Sequence, residues 1–207
     1  MARSRAQTRE RLLAAALDVF AEEGFGRSTV EQICERAGFT RGAFYSNFAS
    51  LDELFLAMWE QRSRAMLAGI REAVGAAEAA ANVEPFDLRR AATRILAAIP
   101  VEDRWYRVTA EFTAHALRNP ELRSVMAARE AAIQATILPI VASALARAGR
   151  RMTDPQALGR ALVAVHDGTA VQVLMEPDDP RILEARTDLY VHVLRSYSEN
   201  SSPSEEK

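Results

Sequence analysis

The chain has 207 residues, 49% hydrophobic and 26% charged, with a formal net charge of −2 at pH 7. This composition is typical of a globular protein and excludes a collagen-like, disordered or uniformly basic chain. The single cysteine, Cys34, excludes an intramolecular disulfide and fits a reducing compartment. Asp18 and Glu22 interrupt the apolar N-terminal run, and no stretch approaches the roughly 18 apolar residues of a membrane span. We therefore expect a cytoplasmic protein with no membrane partner.

The first predicted helix is amphipathic, carries Leu13, Leu17 and Phe20 on one face, and ends at Gly24. The residues before it are locally basic. This segment has two interpretations: an arm that lies along phosphates or in a minor groove, or a disordered and solvated tail. Its basic residues are Arg3, Arg5, Arg9 and Arg11.

Two short helices and a fourth, longer one follow, each with its own start signal. Ser28 and Glu31 fit a capping box for the second helix, and Gly38 supplies the left-handed turn that ends it. Thr40 is expected to cap the third helix. Ser50 and Glu53 fit a second capping box at the start of the fourth. A short helix, a tight turn and a second helix form the arrangement that presents a helix end to the DNA major groove.

Helical spacing continues to the end of the chain, and no segment is predicted to be a strand. Pro139 is expected to kink or split its helix. The fold class is therefore predicted as all-α with about nine helices, followed by a disordered tail at 199–207. The later helical blocks are predicted at 85–99, 102–118, 120–148, 154–175 and 180–197.

The segment from Thr29 to Phe55, TVEQICERAGFTRGAFYSNFASLDELF, resembles the N-terminal signature of TetR-type bacterial transcriptional regulators, as does the preceding helix that ends in EEGF. The phrase HDGTAVQVLMEPDDP also resembles the last two helices of many members. The resemblance implies a homodimer with a three-helix DNA-binding domain at residues 1–52 and a regulatory and dimerisation domain at 53–198. Dimerisation would use the helices at about 154–175 and 180–197, and two-fold symmetry predicts a palindromic operator of double-stranded DNA.

A helical wheel of the third helix separates its buried side from its DNA side. Phe44 and Phe48 lie one turn apart and are predicted core residues. Arg41 is the candidate base reader, because its planar fork matches guanine O6 and N7. Gly42 either lets the backbone approach the duplex or is a tolerated mid-helix glycine, and Tyr45 either contacts phosphate or packs half-buried. The predicted DNA-binding residues are Thr29, Thr40, Arg41, Gly42, Ala43, Tyr45, Ser46 and Asn47, as the resemblance also implies.

Leu51 departs from the family pattern, which usually has a phosphate-binding lysine at this position. A leucine cannot neutralise a phosphate, so the salt slope of DNA binding is expected to fall by about one unit. The arginine-rich arm is a candidate to compensate for this loss.

The resemblance also implies a small-molecule effector bound in the regulatory half. Apolar and aromatic candidates predict a lipophilic effector, although the same residues equally fit an ordinary core. Glu111 lies one turn before His115 and is expected to pair with it. The candidate ligand-binding residues are Trp59, Met66, Trp105, Phe112, His115 and Met126.

No motif indicates catalysis, a cofactor or a metal site, so no enzyme activity is expected. His115 and His166 stand alone in sequence, and Cys34 is expected to serve packing. The predicted function is a repressor that a small effector releases from its operator. A DNA-binding protein without an effector, an activator of the same fold, and a helical enzyme remain as alternatives. The sequence names neither the operator, the effector nor the regulated genes.

Overall fold

The computed structural model describes residues 5–80 and 86–201, and the fold of this part is all-α, as predicted. Its nine helices agree with the predicted blocks to within a few residues at most ends. A single 3₁₀ turn, Phe25–Arg27, follows the first helix. The helices are α1 (Arg5–Glu23), α2 (Val30–Ala37), α3 (Arg41–Tyr45), α4 (Leu51–Ala80), α5 (Leu88–Ala97), α6 (Asp103–Ala116), α7 (Pro120–Arg147), α8 (Pro155–Met175) and α9 (Pro180–Ser196).

The capping of α2 differs from the prediction by one residue. Thr29, not Ser28, is the N-cap: its side chain accepts from the backbone N–H of Gln32, and the Gln32 side chain accepts from the backbone N–H of Thr29. Ser28 is buried and donates its hydroxyl to the carbonyl of Gly24. The motif Ser-Thr-x-x-Gln fits a capping box as well as Ser-x-x-Glu does, so the residue types alone did not separate the two.

The other start signals are confirmed. Thr40 accepts from the backbone N–H of Ala43, and Ser50 accepts from the backbone N–H of Glu53. The Glu53 carboxylate reaches back to Ala49, one residue before the expected partner. Helices α8 and α9 each begin with an aspartate N-cap followed by a proline, an order that satisfies the free N–H groups of the first turn.

Helix α7 runs unbroken from Pro120 to Arg147, so Pro139 does not split it. Among the described residues, α7 is also the one helix whose length and hydropathy would suit a membrane crossing, which the sequence analysis did not anticipate. This is weak evidence, because helices of soluble proteins meet the same criterion.

The described residues contain one pair of strands, which the sequence analysis missed. Strand β1 (Arg150–Met152) pairs antiparallel with β2 (Ser198–Asn200). Glu199 and Asn200 are therefore ordered, against the prediction of a disordered tail, while 202–207 lie outside the described residues. Three-residue strands are too short to show an alternating pattern, and their partners are far apart in sequence. The Arg150 guanidinium reinforces the pair by donating to the Ser198 hydroxyl, the Ser198 carbonyl and the Asn200 side chain.

The chain divides into two compact units. The first contains the described residues up to Arg64 together with Glu102–Met126, and the second contains the described residues of 65–101 and of 127–201. Helix α6 thus belongs to the same unit as α1, α2 and α3 and packs against α1 and the 3₁₀ turn, although it was predicted to lie in the regulatory half. The functional boundary between residues 52 and 53 stays a prediction, since packing units and functional domains need not coincide.

The core of the first unit is aromatic. Phe55 of α4 and Phe112 of α6 stack with ring centroids 3.7 Å apart, and Phe25 meets both edge-on. Phe20 of α1 completes the group at 5.0 Å from Phe25. Fixed aromatic contacts of this kind hold α1, α4 and α6 at defined positions around α2 and α3.

The core of the second unit is mainly aliphatic. Leu158 and Leu162 of α8 pack with Leu194 of α9 and Leu145 of α7. Gly159 permits a close approach of α7, because a Cβ there would lie 3.2 Å from the Gln134 Oε1 atom.

Candidate nucleic-acid interface

The turn between α2 and α3 is set by Gly38 and by an arginine from α1. Gly38 has φ 69°, a left-handed conformation that disfavours residues with a Cβ. The Arg11 guanidinium donates to the carbonyl of Ala37 at 2.8 Å and lies over the Phe39 ring at 5.0 Å. Arg11 therefore holds the end of α2 and the start of α3 together.

Helix α3 is anchored by the two predicted core phenylalanines. Phe44 has no exposed surface and Phe48 is 2% exposed. The N–H of Phe48 donates to the carbonyl of Phe44, so helical hydrogen bonding continues past Tyr45, the last residue of α3. This anchoring turns the opposite side of α3 outward, as the helical wheel predicted.

Most of the predicted DNA-binding residues are exposed on the first unit. Six of the eight are exposed and two, Ala43 and Asn47, are half-buried. Tyr45 is 52% exposed, which favours a contact partner over the packing alternative. A Cβ at Gly42 would meet little except the Thr40 hydroxyl at 3.7 Å, so packing within the chain does not require this glycine. The exposed members are Thr29, Thr40, Arg41, Gly42, Tyr45 and Ser46.

Arg41 is held by a partner on the neighbouring helix. Its Nη1 atom lies 2.7 Å from Glu31 Oε1, and both side chains are more than half exposed. The guanidinium carbon also lies 6.0 Å from the centre of the Tyr45 ring. Because exposed ion pairs contribute little stability, this pair orients Arg41 without preventing its release.

Ser46 and Asn47 are engaged with the backbone of α3. The Ser46 hydroxyl donates to the Gly42 carbonyl, and the Asn47 amide donates to the Ala43 carbonyl. The Oδ1 atom of Asn47 is buried without a hydrogen-bond partner among the described residues. Their assignment as DNA contacts stays a prediction.

The predicted basic arm is helical from Arg5 onward, against the disordered-tail alternative. The Arg5 guanidinium donates to the Ser46 carbonyl at 2.8 Å, at the C-terminal end of α3. Arg9 lies over the Phe48 ring at 5.2 Å. Arg3 lies outside the described residues. Leu51 is half-buried and packs against the core of this unit, which gives a structural reason for a leucine there.

Helix α6 reaches this unit through two polar side chains that the sequence analysis paired with each other. The Glu111 carboxylate instead accepts from the backbone N–H of Phe25 at 2.6 Å. His115 Nε2 lies 3.1 Å from Asp52 Oδ1 at the start of α4. Because an ionised carboxylate only accepts, His115 donates in this bond. The two residues lie one turn apart on α6 but face different partners.

The structure places five of the six candidate ligand residues in the first unit. Phe112 is fully buried and has the packing of a core residue. Trp59, Trp105 and Met126 pack on the outside of the same core, and the His115 ring lies 5.2 Å from the Phe25 ring. Met66 belongs to the second unit. A shared effector pocket stays a prediction.

Cys34 lies in the core with 4% of its surface exposed. Burial, and secondarily the charge of Glu31, raise the pKa of its thiol. A protonated, buried thiol is a poor nucleophile, which favours packing over redox sensing. In the described ranges, no three His, Cys, Asp or Glu side chains come together in a way that would hold a metal ion.

Helices α2 and α3 form a helix-turn-helix whose inner face is buried and whose second helix begins with the exposed Arg41. This arrangement defines the helix-turn-helix class of DNA-binding proteins. Residues 12–58 match the family model of bacterial regulatory proteins of the tetR family. Residues 87–197, more than half of the chain, match the model of the C-terminal region of BetI-type transcriptional repressors. The chain therefore belongs to the TetR family of bacterial transcriptional regulators.

The alignments with curated relatives cover only part of this chain. The transcriptional activator FasR of Mycolicibacterium smegmatis is 33% identical over 70 residues, which are 34% of this chain and 32% of FasR. The regulator AcrR of Shigella flexneri is 38% identical over 54 residues, 26% of this chain and 25% of AcrR. The alignments thus span about a third or less of these relatives. Family and relatives are transcriptional regulators, not enzymes.

Solved structures share the fold over nearly the whole chain. A transcriptional regulator from Rhodococcus sp. Rha1 has a TM-score of 0.67 at 24% identity, over 94% of this chain and 98% of that one. The regulator FadR from Bacillus subtilis, solved with stearoyl-CoA, has a TM-score of 0.64 at 17% identity, over 90% and 97%. At these identities the likeness shows the fold alone.

Proposed function

We propose that this regulator is a cytoplasmic repressor that binds a palindromic operator as a homodimer and is released by a small lipophilic effector. The observation that supports sequence-specific DNA binding is the exposed surface of α3. Arg41 is the first residue of this helix, and both Arg41 and the neighbouring Gly42 are exposed. Arginine is the side chain best suited to bidentate recognition of guanine in the major groove.

The exposed residues near Arg41 supply the remaining contacts. Thr29, Thr40, Tyr45 and Ser46 are exposed and have hydroxyl groups suited to phosphate oxygens. Contacts of this kind set the register of the protein on the duplex, and Arg41 supplies the sequence preference. Ala43 is a candidate partner for a thymine methyl group.

An exposed stripe on α8 and α9 supports the homodimer. Ala164 and Gly168 on α8 are exposed, and a Cβ at Gly168 would meet open space. Met175 is 76% exposed and Leu189 on α9 is 44% exposed. Leu158 and Leu162 of α8 pack inside the chain, so the proposed interface uses the opposite face of this helix. A second copy would cover this apolar stripe, as isologous dimers do.

The proposed release mechanism is a coupled two-state dimer. Effector binding shifts the position of α4, changes the separation of the two recognition helices and weakens operator binding. By linkage, operator binding weakens effector binding by the same factor, typically about 1–3 kcal/mol of coupling. An effector with no measurable effect on operator affinity would contradict this mechanism.

The test is a selection of bound duplexes from a random DNA pool, with Arg41→Ala as the control. The proposal expects enrichment of a palindrome with half-sites about one DNA turn, ~34 Å, apart, and loss of that enrichment in the variant. A folded protein that enriches no sequence would contradict the DNA-reading assignment.

Two alternatives share this interface. The first is activation, the role of the relative FasR. The position of the selected palindrome relative to the promoter, followed by a transcription assay, separates it from repression. The second is a DNA-binding protein without an effector, which an effector screen against the operator complex tests.

The N-terminal part of α1 offers a replacement for the phosphate contact missing at Leu51. Deletion of residues 2–7 removes Arg3 and Arg5, and the proposal expects a smaller dependence of operator affinity on salt concentration. An unchanged salt slope would rule out this role for the arm.

A further inference from the structure

A buried arginine in the second unit lacks a counter-charge. Arg186 of α9 is 4% exposed, and its Nη1 atom has no hydrogen-bond partner among the described residues. No carboxylate among the described residues forms an ion pair with Arg186. Burial is the main influence on the pKa of its guanidinium and lowers it. A buried cation without a counter-charge is strongly unfavourable, so a folded chain that keeps one is expected to receive a negatively charged acceptor from elsewhere.

Two further donors stand beside this guanidinium. Arg186 Nη2 lies 3.1 Å from His166 Nδ1 on α8. An arginine can only donate, so Nδ1 accepts and the ring proton is on Nε2, which remains a donor. Burial, and secondarily the charge of Arg186, lower the pKa of His166 to about 4, and the ring is therefore neutral at pH 7. Burial raises the pKa of Tyr190 to about 12, which keeps its hydroxyl protonated close to Arg186.

We infer that Arg186, His166 and Tyr190 form a buried site for the carboxylate of a small organic acid with an apolar body. The charge decides the ligand class. The site has one unpaired positive charge, which a carboxylate neutralises, whereas a phosphate dianion would bring a surplus negative charge into a low-dielectric interior. The guanidinium fork also matches the geometry of a carboxylate.

The surroundings account for the apolar body. Leu162 lies one turn before His166, and Leu194 lies one turn after Tyr190; both are core residues of the second unit. Nη1 has no contact with solvent, so a ligand reaches it only when neighbouring side chains move. His166 is half-buried and so lies nearer to solvent than Arg186. Binding at Arg186 is therefore coupled to a rearrangement between α8 and α9.

The missing acceptor belongs to a ligand rather than to a second copy of the chain. Arg186 and Tyr190 are on the face of α9 that packs inside the chain, together with Thr187 and Leu194. The exposed stripe proposed for dimerisation, which includes Leu189, is on a different side of the helix. A partner subunit resting on that stripe would not reach Nη1.

The test is calorimetric titration of the full-length protein at pH 7 with decanoate, decanol and decyltrimethylammonium. We expect decanoate to bind, decanol to bind at least about tenfold more weakly, and the cation not to bind, because only the carboxylate supplies an acceptor that also neutralises Arg186. This comparison uses the unaltered protein and does not depend on the folding of a variant. Equal binding of decanol and decanoate, or no decanoate binding by folded protein, would overturn the inference.

Arg186→Met separates the site from a structural role. The variant is expected to weaken decanoate binding by about thirtyfold or more. Its melting temperature without ligand should be unchanged or higher, because removing an unpaired buried cation relieves desolvation. Arg195→Met, at an exposed position of the same helix, is the matched control and should bind decanoate like the original chain. Unchanged decanoate binding in Arg186→Met would overturn the inference. A second contrary result would be that this substitution dissociates the dimer and also abolishes decanoate binding.

The binding site does not depend on the proposed function; only a role of its ligand as the effector that releases the operator rests on that function. Duplex selection without decanoate tests DNA reading by itself. A protein that selects a palindrome but binds no decanoate overturns the site alone, whereas one that binds decanoate and selects no duplex contradicts the proposed function alone.

Discussion

Arg41 Nη1 lies 2.7 Å from Glu31 Oε1, so the proposed base-reading cation is paired with a carboxylate of the preceding helix before DNA arrives. Reading a guanine requires this pair to open or to rotate together. Both side chains are well exposed, and exposed pairs are worth less than about 1 kcal/mol, so opening costs little compared with a bidentate base contact.

The Arg41–Glu31 pair gives the first prediction. Arg41→Ala is expected to weaken binding of the selected operator by about 1–3 kcal/mol and to weaken binding of random duplex less. Glu31→Gln is expected to strengthen binding of both, since it frees Arg41 and removes a negative charge near the phosphates. Fluorescence anisotropy with both duplexes measures these changes. Weaker operator binding by Glu31→Gln would instead indicate that Glu31 positions Arg41 or contacts a base.

The second prediction concerns the link between α6 and the helix-turn-helix. Glu111→Ala leaves the N–H of Phe25 without its carboxylate partner and is expected to lower the free energy of unfolding by about 1–2 kcal/mol. Urea denaturation measures the change. Glu121→Ala, an exposed glutamate in the first turn of α7, serves as the control. Equal stability of the two variants would mean that water replaces the lost contact.

Gly168 provides the third prediction, on the dimer interface. Gly168→Leu adds a side chain into space that is open within one chain, so the fold is expected to persist. In a dimer that uses this stripe the same side chain would collide with the partner and raise the dissociation constant. Analytical ultracentrifugation compares it with Gly75→Leu, a second exposed helical glycine with open space. The same dissociation constant in both variants would exclude this part of α8 from the interface.

The fourth prediction is a pH dependence from His166. Its pKa is about 4 in the folded chain, below the ordinary 6.5, so the unfolded chain binds more protons between these values. The stability due to the neutral ring is complete above pH 6.5 and is lost as the pH falls toward 4. Between pH 7 and pH 5 the loss is expected to reach at most about 2 kcal/mol.

The measurement compares denaturation of the original chain and His166→Gln at both pH values. Carboxylates titrate in both proteins, so the difference between the two curves isolates the histidine. A difference that does not change with pH would contradict the prediction.

Local signals in the sequence predicted the helices and the turn of the N-terminal part well. The apolar spacing, Gly38 and Thr40 each act within a few residues, so their consequences are readable without knowledge of the rest of the chain. The capping of α2 was wrong by one residue because two overlapping motifs were equally suitable. Only the side-chain bonds, those of Thr29 and Gln32, distinguish them.

Long-range features were not predictable in the same way. The spacing of α6 shows which side of the helix is buried but not the partner, so the stacking of Phe112 on Phe55 was not foreseen. Arg186 stood among polar residues of an amphipathic helix and gave no sign that it would be buried. Both depend on how distant helices come together, which no local pattern specifies.

The short strand pair has a consequence for the end of the chain. Strand β1 lies between α7 and α8, and strand β2 follows α9. Their pairing connects the start of α8 to the end of α9, at the end of this helical hairpin opposite its loop. A stop codon after Tyr197 would remove β2 and deprive Arg150 of its acceptors on Ser198 and Asn200. The last turn of α9 would then fray, and its amides would exchange with deuterium faster than those of the full chain. A purification tag is therefore better added after residue 201 than used to replace the residues of β2.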